Sequence, residues 1–165
     1  MSEIYIHSSD KCIMVHHSTF LKALKFVLKW EGGYVNNPYD KGGPTNRGIT
    51  QKVYDNYLAK HYKPNKPVRM LSEYEMEDIY YNSYWISAGC NRLEPKLAIA
   101  LFDFSVNSGV ARALRYLKLS SNNLDKYLDK RKEFFKLIGK GSQRVFLKGW
   151  LNRLQALREY LIGVE

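Results

Sequence analysis

The chain is poor in several things that would otherwise define it. It has two cysteines, Cys12 and Cys90, in 165 residues. That is too few for a disulfide framework, so they read as free thiols or at most one bridge. No apolar run approaches the roughly 20 residues that a membrane-crossing helix needs. The first residues, MSEIYIHSSDKCIMVHH, carry Glu3 and Asp10 and lack a basic start followed by a long apolar stretch, which is not the pattern of a Sec signal peptide. A target outside the cytoplasm would then require another route of export. The four histidines, His7, His16, His17 and His61, have no ligand-like spacing with cysteine or carboxylate, so neither a metal nor any other cofactor is expected. Gly42-Gly43 lacks the Lys-Ser or Lys-Thr of a phosphate-binding loop, and no serine sits in a nucleophile elbow. No recognised DNA-binding motif is present, so no specific nucleic-acid partner is expected.

What is present fits one domain of ordinary globular composition, with 45% hydrophobic and 25% charged residues. A chain of this size buries about two-thirds of its unfolded surface without a metal or disulfide staple. The net charge is +10, and it is uneven: residues 112–165 hold 13 basic and 5 acidic side chains. The C-terminal third therefore favours a polyanion, such as nucleic acid, an acidic wall or an anionic membrane surface, or else simply solvates its helix faces.

The hydrophobic pattern predicts a mainly α protein. A first helix is expected after Ser18, with Phe20, Leu24, Val27 and Leu28 on one face, stopping at Gly32-Gly33. Residues 33–49 are dense in Gly, Asn and Pro, so turns or a small irregular sheet should follow. Thr50 is placed to cap a short helix. Ser72 and Glu75 form a capping-box pattern for a helix running to about Trp85. Pro95 should open the most apolar helix, which Gly109 ends. Three more helices are expected at about 110–119, 123–138 and 144–162. Residues 1–17 form an extension with no assignable role, and residues 18–165 form one domain.

The chemistry concentrates in Trp30-Glu31-Gly32-Gly33-Tyr34 through Asp40, Thr45 and Gly48-Ile49-Thr50. Glu31 continues the buried stripe of the first helix and sits in its last turn. Burial and the negative end of the helix dipole both favour the protonated acid. An acid protonated near neutral pH is what a glycosidase uses to protonate a leaving oxygen. Asp40, nine residues on in a polar loop, is suited to stay ionised and to orient or deprotonate a water, and the Thr45 hydroxyl can hold that water. The same residues also admit a purely structural reading, with an exposed helix-end Glu31, a turn aspartate and a loop-bonding Thr45. Tyr34, Tyr84 and Trp85 can stack on sugar rings or fill the core. Asp103 and Asn107, four apart on the most apolar helix, must find partners, and Asn107 can bond an N-acetyl or hydroxyl group in a cleft.

The stretch EGGYVNNPYDKGGPTNRGIT resembles the signature of glycoside hydrolase family 108, with supporting likeness at Tyr84-Trp85, at FDFSVNSG (102–109) and at FLKGWLNR (146–153). The resemblance covers roughly residues 18–162. It implies a lysozyme-like fold, a catalytic part followed by a basic helical part (112–165) resembling a peptidoglycan-binding region, and cleavage of the β-1,4 bond after N-acetylmuramic acid. Glu31, Asp40 and Thr45 also resemble the Glu-Asp-Thr triad of phage-type lysozymes. The spacing to Gly-Ile differs by one residue, which leaves Thr50 as an alternative to Thr45. The expected enzyme is a monomeric muramidase or endolysin acting on glycan strands of the wall after release by a holin or other export. A lytic transglycosylase and a non-catalytic wall or nucleic-acid binder are the rival expectations.

Overall fold

The computed structural model describes residues 8–36 and 43–164, with side chains from residue 17 onward. Seven helices are present among them: α1 (Ser8–Leu28), α2 (Gln51–Lys60), α3 (Glu73–Tyr80), α4 (Pro95–Ser108), α5 (Val110–Leu119), α6 (Leu124–Ile138) and α7 (Arg144–Ile162). Between α1 and α2 lies a two-stranded antiparallel hairpin, β1 (Thr45–Asn46) and β2 (Ile49–Thr50), extended by a bridge from Val35 to Thr45. This is a mainly α, lysozyme-like fold.

The first helix begins ten residues earlier than expected from Ser18. Residues 11–18 contain neither glycine nor proline, so nothing breaks a helix there, and Ser8-Ser9-Asp10 supplies the residue types that favour helix starts. The helix also stops sooner, at Leu28, although the chain stays wound as the Trp30 and Glu31 amides both donate to the Val27 carbonyl. The other boundaries follow the local chemistry. Thr50 accepts from the Val53 amide at the start of α2. Ser72 and Glu75 form both halves of the capping box on α3. Pro95 occupies the first turn of α4, and Gly109, at φ +92, ends α4 and begins α5.

Beyond Tyr80 the helix widens into a π-helical stretch, Tyr81–Ile86. Such wide turns are rare and gather at functional sites.

The core is organised around α4, whose residues 97–105 are all buried. On one side Phe102 meets Phe20 and Trp85 edge-on, at centroid distances of 5.8 and 5.6 Å. On the other side Phe104 packs against Tyr116, Tyr127, Phe134 and Phe135. Truncating either phenylalanine to alanine would cost about 3–5 kcal/mol through lost burial and the cavity left behind. Cys90 is a buried free thiol, and burial pushes its pKa up.

Candidate active site

Glu31 follows the end of α1, and its side chain is only 19% exposed. Three elements close around it. From α7, Arg153 donates from Nη1 to Glu31 Oε1 at 2.9 Å. From α3 and the π-helical stretch come Tyr80 and Tyr84, with ring centroids 5.7 Å apart. Burial pushes the Tyr80 hydroxyl above its ordinary pKa, and the charge of Glu31 pushes it further. The same two causes, in the same order, raise Tyr84. Both phenols therefore stay protonated and uncharged at neutral pH.

The third element is the hairpin. Arg47 and Gly48 are its two loop residues, with φ of +50 and +76, which is the conformation of a type I′ turn. Tyr80 donates to the Arg47 carbonyl oxygen at 2.7 Å and so fixes the turn against α3. A Cβ on Gly48 would stand 2.7 Å from the Tyr80 hydroxyl oxygen and 2.8 Å from Glu31 Oε2. Glycine is required there twice over, for its backbone and for the space that Glu31 occupies.

Behind the carboxyl runs a chain of buried charge. Arg153 donates from Nε to Asp103 Oδ1 at 2.9 Å, and Arg131 Nη1 lies 2.6 Å from Asp103 Oδ2 with both side chains fully enclosed. The Arg131 guanidinium also lies over the Phe104 and Phe135 rings, at 4.7 and 5.2 Å. Burial pulls both arginines down. Asp103 only partly restores Arg131, whereas Asp103 and Glu31 together carry Arg153 above its ordinary value. Glu31 and Asp103 face Arg153 and Arg131, two negative groups against two positive ones. The sequence reading gives Glu31 no cationic partner, and the structure supplies Arg153.

The remaining expected residues divide. Asp40 lies outside the described residues. Thr45 is on β1, its hydroxyl donating to the Gly43 carbonyl at 3.2 Å, and it stands opposite Thr50 in the hairpin register. The Thr50 hydroxyl serves as the cap of α2. Tyr34 is exposed beside the Val35 bridge. Tyr84 is half-buried and lines a cavity of about 570 Å³ between α2 and the π-helical stretch, along with Asn56, Tyr57, Asn82 and Ser83. Trp85, expected as a possible stacking platform or as core, is fully enclosed against Phe20 and Phe102, standing one residue further round the π-helical turn than the half-buried Tyr84. Its indole cannot meet a sugar ring from solvent. Asp103 is an internal counter-ion, and Asn107 is half-buried, accepting from the Ser108 hydroxyl.

Sequence reasoning placed Gly48 in the signature stretch without giving it a role, and missed Arg153, Arg131 and Tyr80 as site residues. One signal was available. Arg131 follows Tyr127 and Leu128 by four and three positions and precedes Phe134 and Phe135 by three and four, so it interrupts an apolar stripe. A buried cation there demands an acid, and Asp103 on the most apolar helix demands a cation.

A mainly α lysozyme-like scaffold with a partly buried glutamate between a helix end and a hairpin defines a class, that of the glycoside hydrolases. Comparison with known families agrees. The family described as Glycosyl hydrolase 108 matches residues 24–109, just over half of the chain. The chain belongs to glycosyl hydrolase family 108. Among solved structures, that of Brucella abortus SagA matches with a TM-score of 0.71 and 29% identity, over 88% of this chain and 95% of SagA. No curated protein matches the chain by sequence.

Proposed function

We propose that this glycoside hydrolase is an N-acetylmuramidase, cleaving the β-1,4 bond between N-acetylmuramic acid and N-acetylglucosamine in peptidoglycan. The observation that carries the reading is the Glu31 carboxyl, part-exposed at the end of α1 and ringed by Arg153, Tyr80 and Tyr84. Glu31 is the general acid in this reading: its carboxylate first takes up a proton and then passes it to the departing glycosidic oxygen. Tyr84, which feels the charge of Glu31, also lines the groove with Asn56, Asn82 and Ser83, and these amides and hydroxyls suit the N-acetyl and hydroxyl groups of a glycan strand. Asp40 and Thr45 hold and activate the attacking water, so the reaction inverts the anomeric centre. The enzyme works on the wall as a monomer and reaches it by release through a holin or another export route.

The test is digestion of purified peptidoglycan by the full chain, with mass analysis of the fragments. Hydrated muramic-acid reducing ends are expected, with the α-anomer first in early-turnover NMR. Glu31→Gln, which keeps an oxygen for Arg153, should lose roughly 10²–10⁴ in rate while the fold survives. Anhydro-muramic ends would make the protein a lytic transglycosylase. Retention of more than half of the wild-type clearing by Glu31→Gln would remove Glu31 from the chemistry.

A further inference from the structure

The corner joining α6 to α7, residues 136–148, carries four cations at intervals of four: Lys136, Lys140, Arg144 and Lys148. All four are exposed, and no carboxylate pairs with any of them among the described residues. Residues 134–158 contain no acid at all. The other two cations of that stretch are spent within the protein, Arg153 on Glu31 and Asp103 and Arg158 on Asp129. The corner also exposes large apolar side chains: Leu137 at 66%, Val145 at 77% and Phe146 at 53%.

On the first turns of α7, Arg144 and Lys148 share a face, Val145 stands about 100° round from Arg144 and Phe146 about 200°, so the exposed side chains ring the open end of the helix. The local choices run against helix stability. The helix has no acid in its first turn and no side-chain cap, and it opens on Arg144 at the positive end of its dipole. A local rule broken without an internal gain points to function.

We propose that this corner docks the protein on an anionic phospholipid surface, with Lys136, Lys140, Arg144 and Lys148 against the headgroups and Val145 and Phe146 set into the headgroup–acyl boundary. Cations alone would suit any polyanion. A ring such as Phe146 could also stack on a sugar, but the exposed aliphatic Leu137 and Val145 beside the cations offer a hydrophilic polyanion nothing, whereas a lipid interface takes all of them. The contact is superficial, since no helix among the described residues is long and apolar enough to cross a membrane. Phe146 stacks on Trp150 at 5.9 Å, so insertion of Phe146 should change the surroundings of that indole. The proposal does not depend on which glycosidic bond the enzyme cleaves.

The test is co-sedimentation of the full chain with vesicles of phosphatidylglycerol and phosphatidylcholine, against vesicles of phosphatidylcholine alone. Binding to the anionic vesicles should be at least tenfold tighter and fall as salt rises. The pair Arg144→Gln and Lys148→Gln should weaken it by roughly 30-fold, since each cation near such a surface contributes about fivefold. The pair Val145→Ser and Phe146→Ser should weaken it by about tenfold at unchanged charge, with unchanged circular dichroism and unchanged cleavage of soluble glycan fragments. Equal binding to both vesicle types would overturn the proposal. So would full binding by the Val145→Ser, Phe146→Ser variant, which would leave polyanion attraction alone, and so would tighter binding to isolated wall polymer than to the vesicles.

Discussion

The Arg153 guanidinium donates to the Glu31 carboxylate at 2.9 Å across 122 residues of chain, joining the last helix to the end of the first. Its Nε holds Asp103 at the same distance, so one side chain both orients the candidate acid and neutralises a carboxylate at the centre of the core. The site is therefore complete only with α7 in place against Asp103 and Glu31.

That arrangement predicts a double loss on removing the guanidinium. Arg153→Met keeps much of the apolar stem, leaves Asp103 with Arg131 alone and strips Glu31 of its partner. Breaking a buried pair from one side costs about 3–5 kcal/mol, so the melting temperature should fall by many degrees. Arg153→Lys restores one charge without the fork that reaches both acids, and should recover stability only in part. If Arg153 positions Glu31, the alkaline limb of the pH–rate profile, where the general acid loses its proton, should also move in Arg153→Lys. A melting temperature for Arg153→Met within a degree of wild type would show that the pair contributes nothing.

Gly48 makes a sharper test of geometry. Its φ of +76 disfavours any side chain, and an alanine Cβ would fall 2.8 Å from Glu31 Oε2 and 2.7 Å from the Tyr80 hydroxyl oxygen. Gly48→Ala should cost roughly 1–3 kcal/mol in backbone strain and crowding. It should also reduce activity by about 10²-fold, since a misplacement of about 1 Å is enough for that. Turbidity clearing and thermal unfolding on the same preparation would separate the two. Full activity with only a stability loss would mean that the hairpin does not set the position of Glu31.

Much of the scaffold was legible in the sequence because its signals are local. Thr50, the Ser72–Glu75 box, Pro95 and Gly109 each act within a turn of themselves, and each does what its type dictates. Glu31 was legible as a carboxyl on an apolar stripe. Its setting was not, because Arg153, Tyr80 and Gly48 arrive from elements 122, 49 and 17 positions away, and no periodicity encodes which helices meet. Trp85 stayed open between stacking platform and core for a related reason. The helical phase slips in the π-helical stretch Tyr81–Ile86, so a residue beside the half-exposed Tyr84 turns inward. The early start of α1 was hidden because Ser18, read as a cap, is tolerated inside a helix whose flanks carry no breaker.

A final prediction concerns acid stability and the lobe that carries Tyr80 and Tyr84. Glu75 on α3 is buried, yet it accepts from the Tyr54 hydroxyl of α2 at 2.7 Å and from the Ser72 amide and hydroxyl, and it pairs with Lys66 at 3.0 Å and Lys63 at 3.4 Å. Burial pushes its carboxyl up, but the bonds from Tyr54, Lys66 and Ser72 outweigh it and bring the pKa from 4.5 down to about 2. A carboxyl held lower in the folded state than in the unfolded chain stabilises the fold fully above its unfolded pKa. That contribution fades as pH falls from about 4.5 towards 2, because the unfolded chain takes up the proton first. The difference corresponds to about 3 kcal/mol at neutral pH. Glu75→Gln preserves the shape and removes the charge, so it should melt well below wild type at pH 7. The gap should shrink by most of its size between pH 4.5 and pH 2, as wild type loses the same contribution by protonation. Melting curves of both proteins from pH 7 to pH 2 provide the measurement. A gap that stays constant through that window would show that the carboxylate contributes no charge-dependent stability, and that the network joining α2, the loop at 61–72 and α3 is held by packing alone.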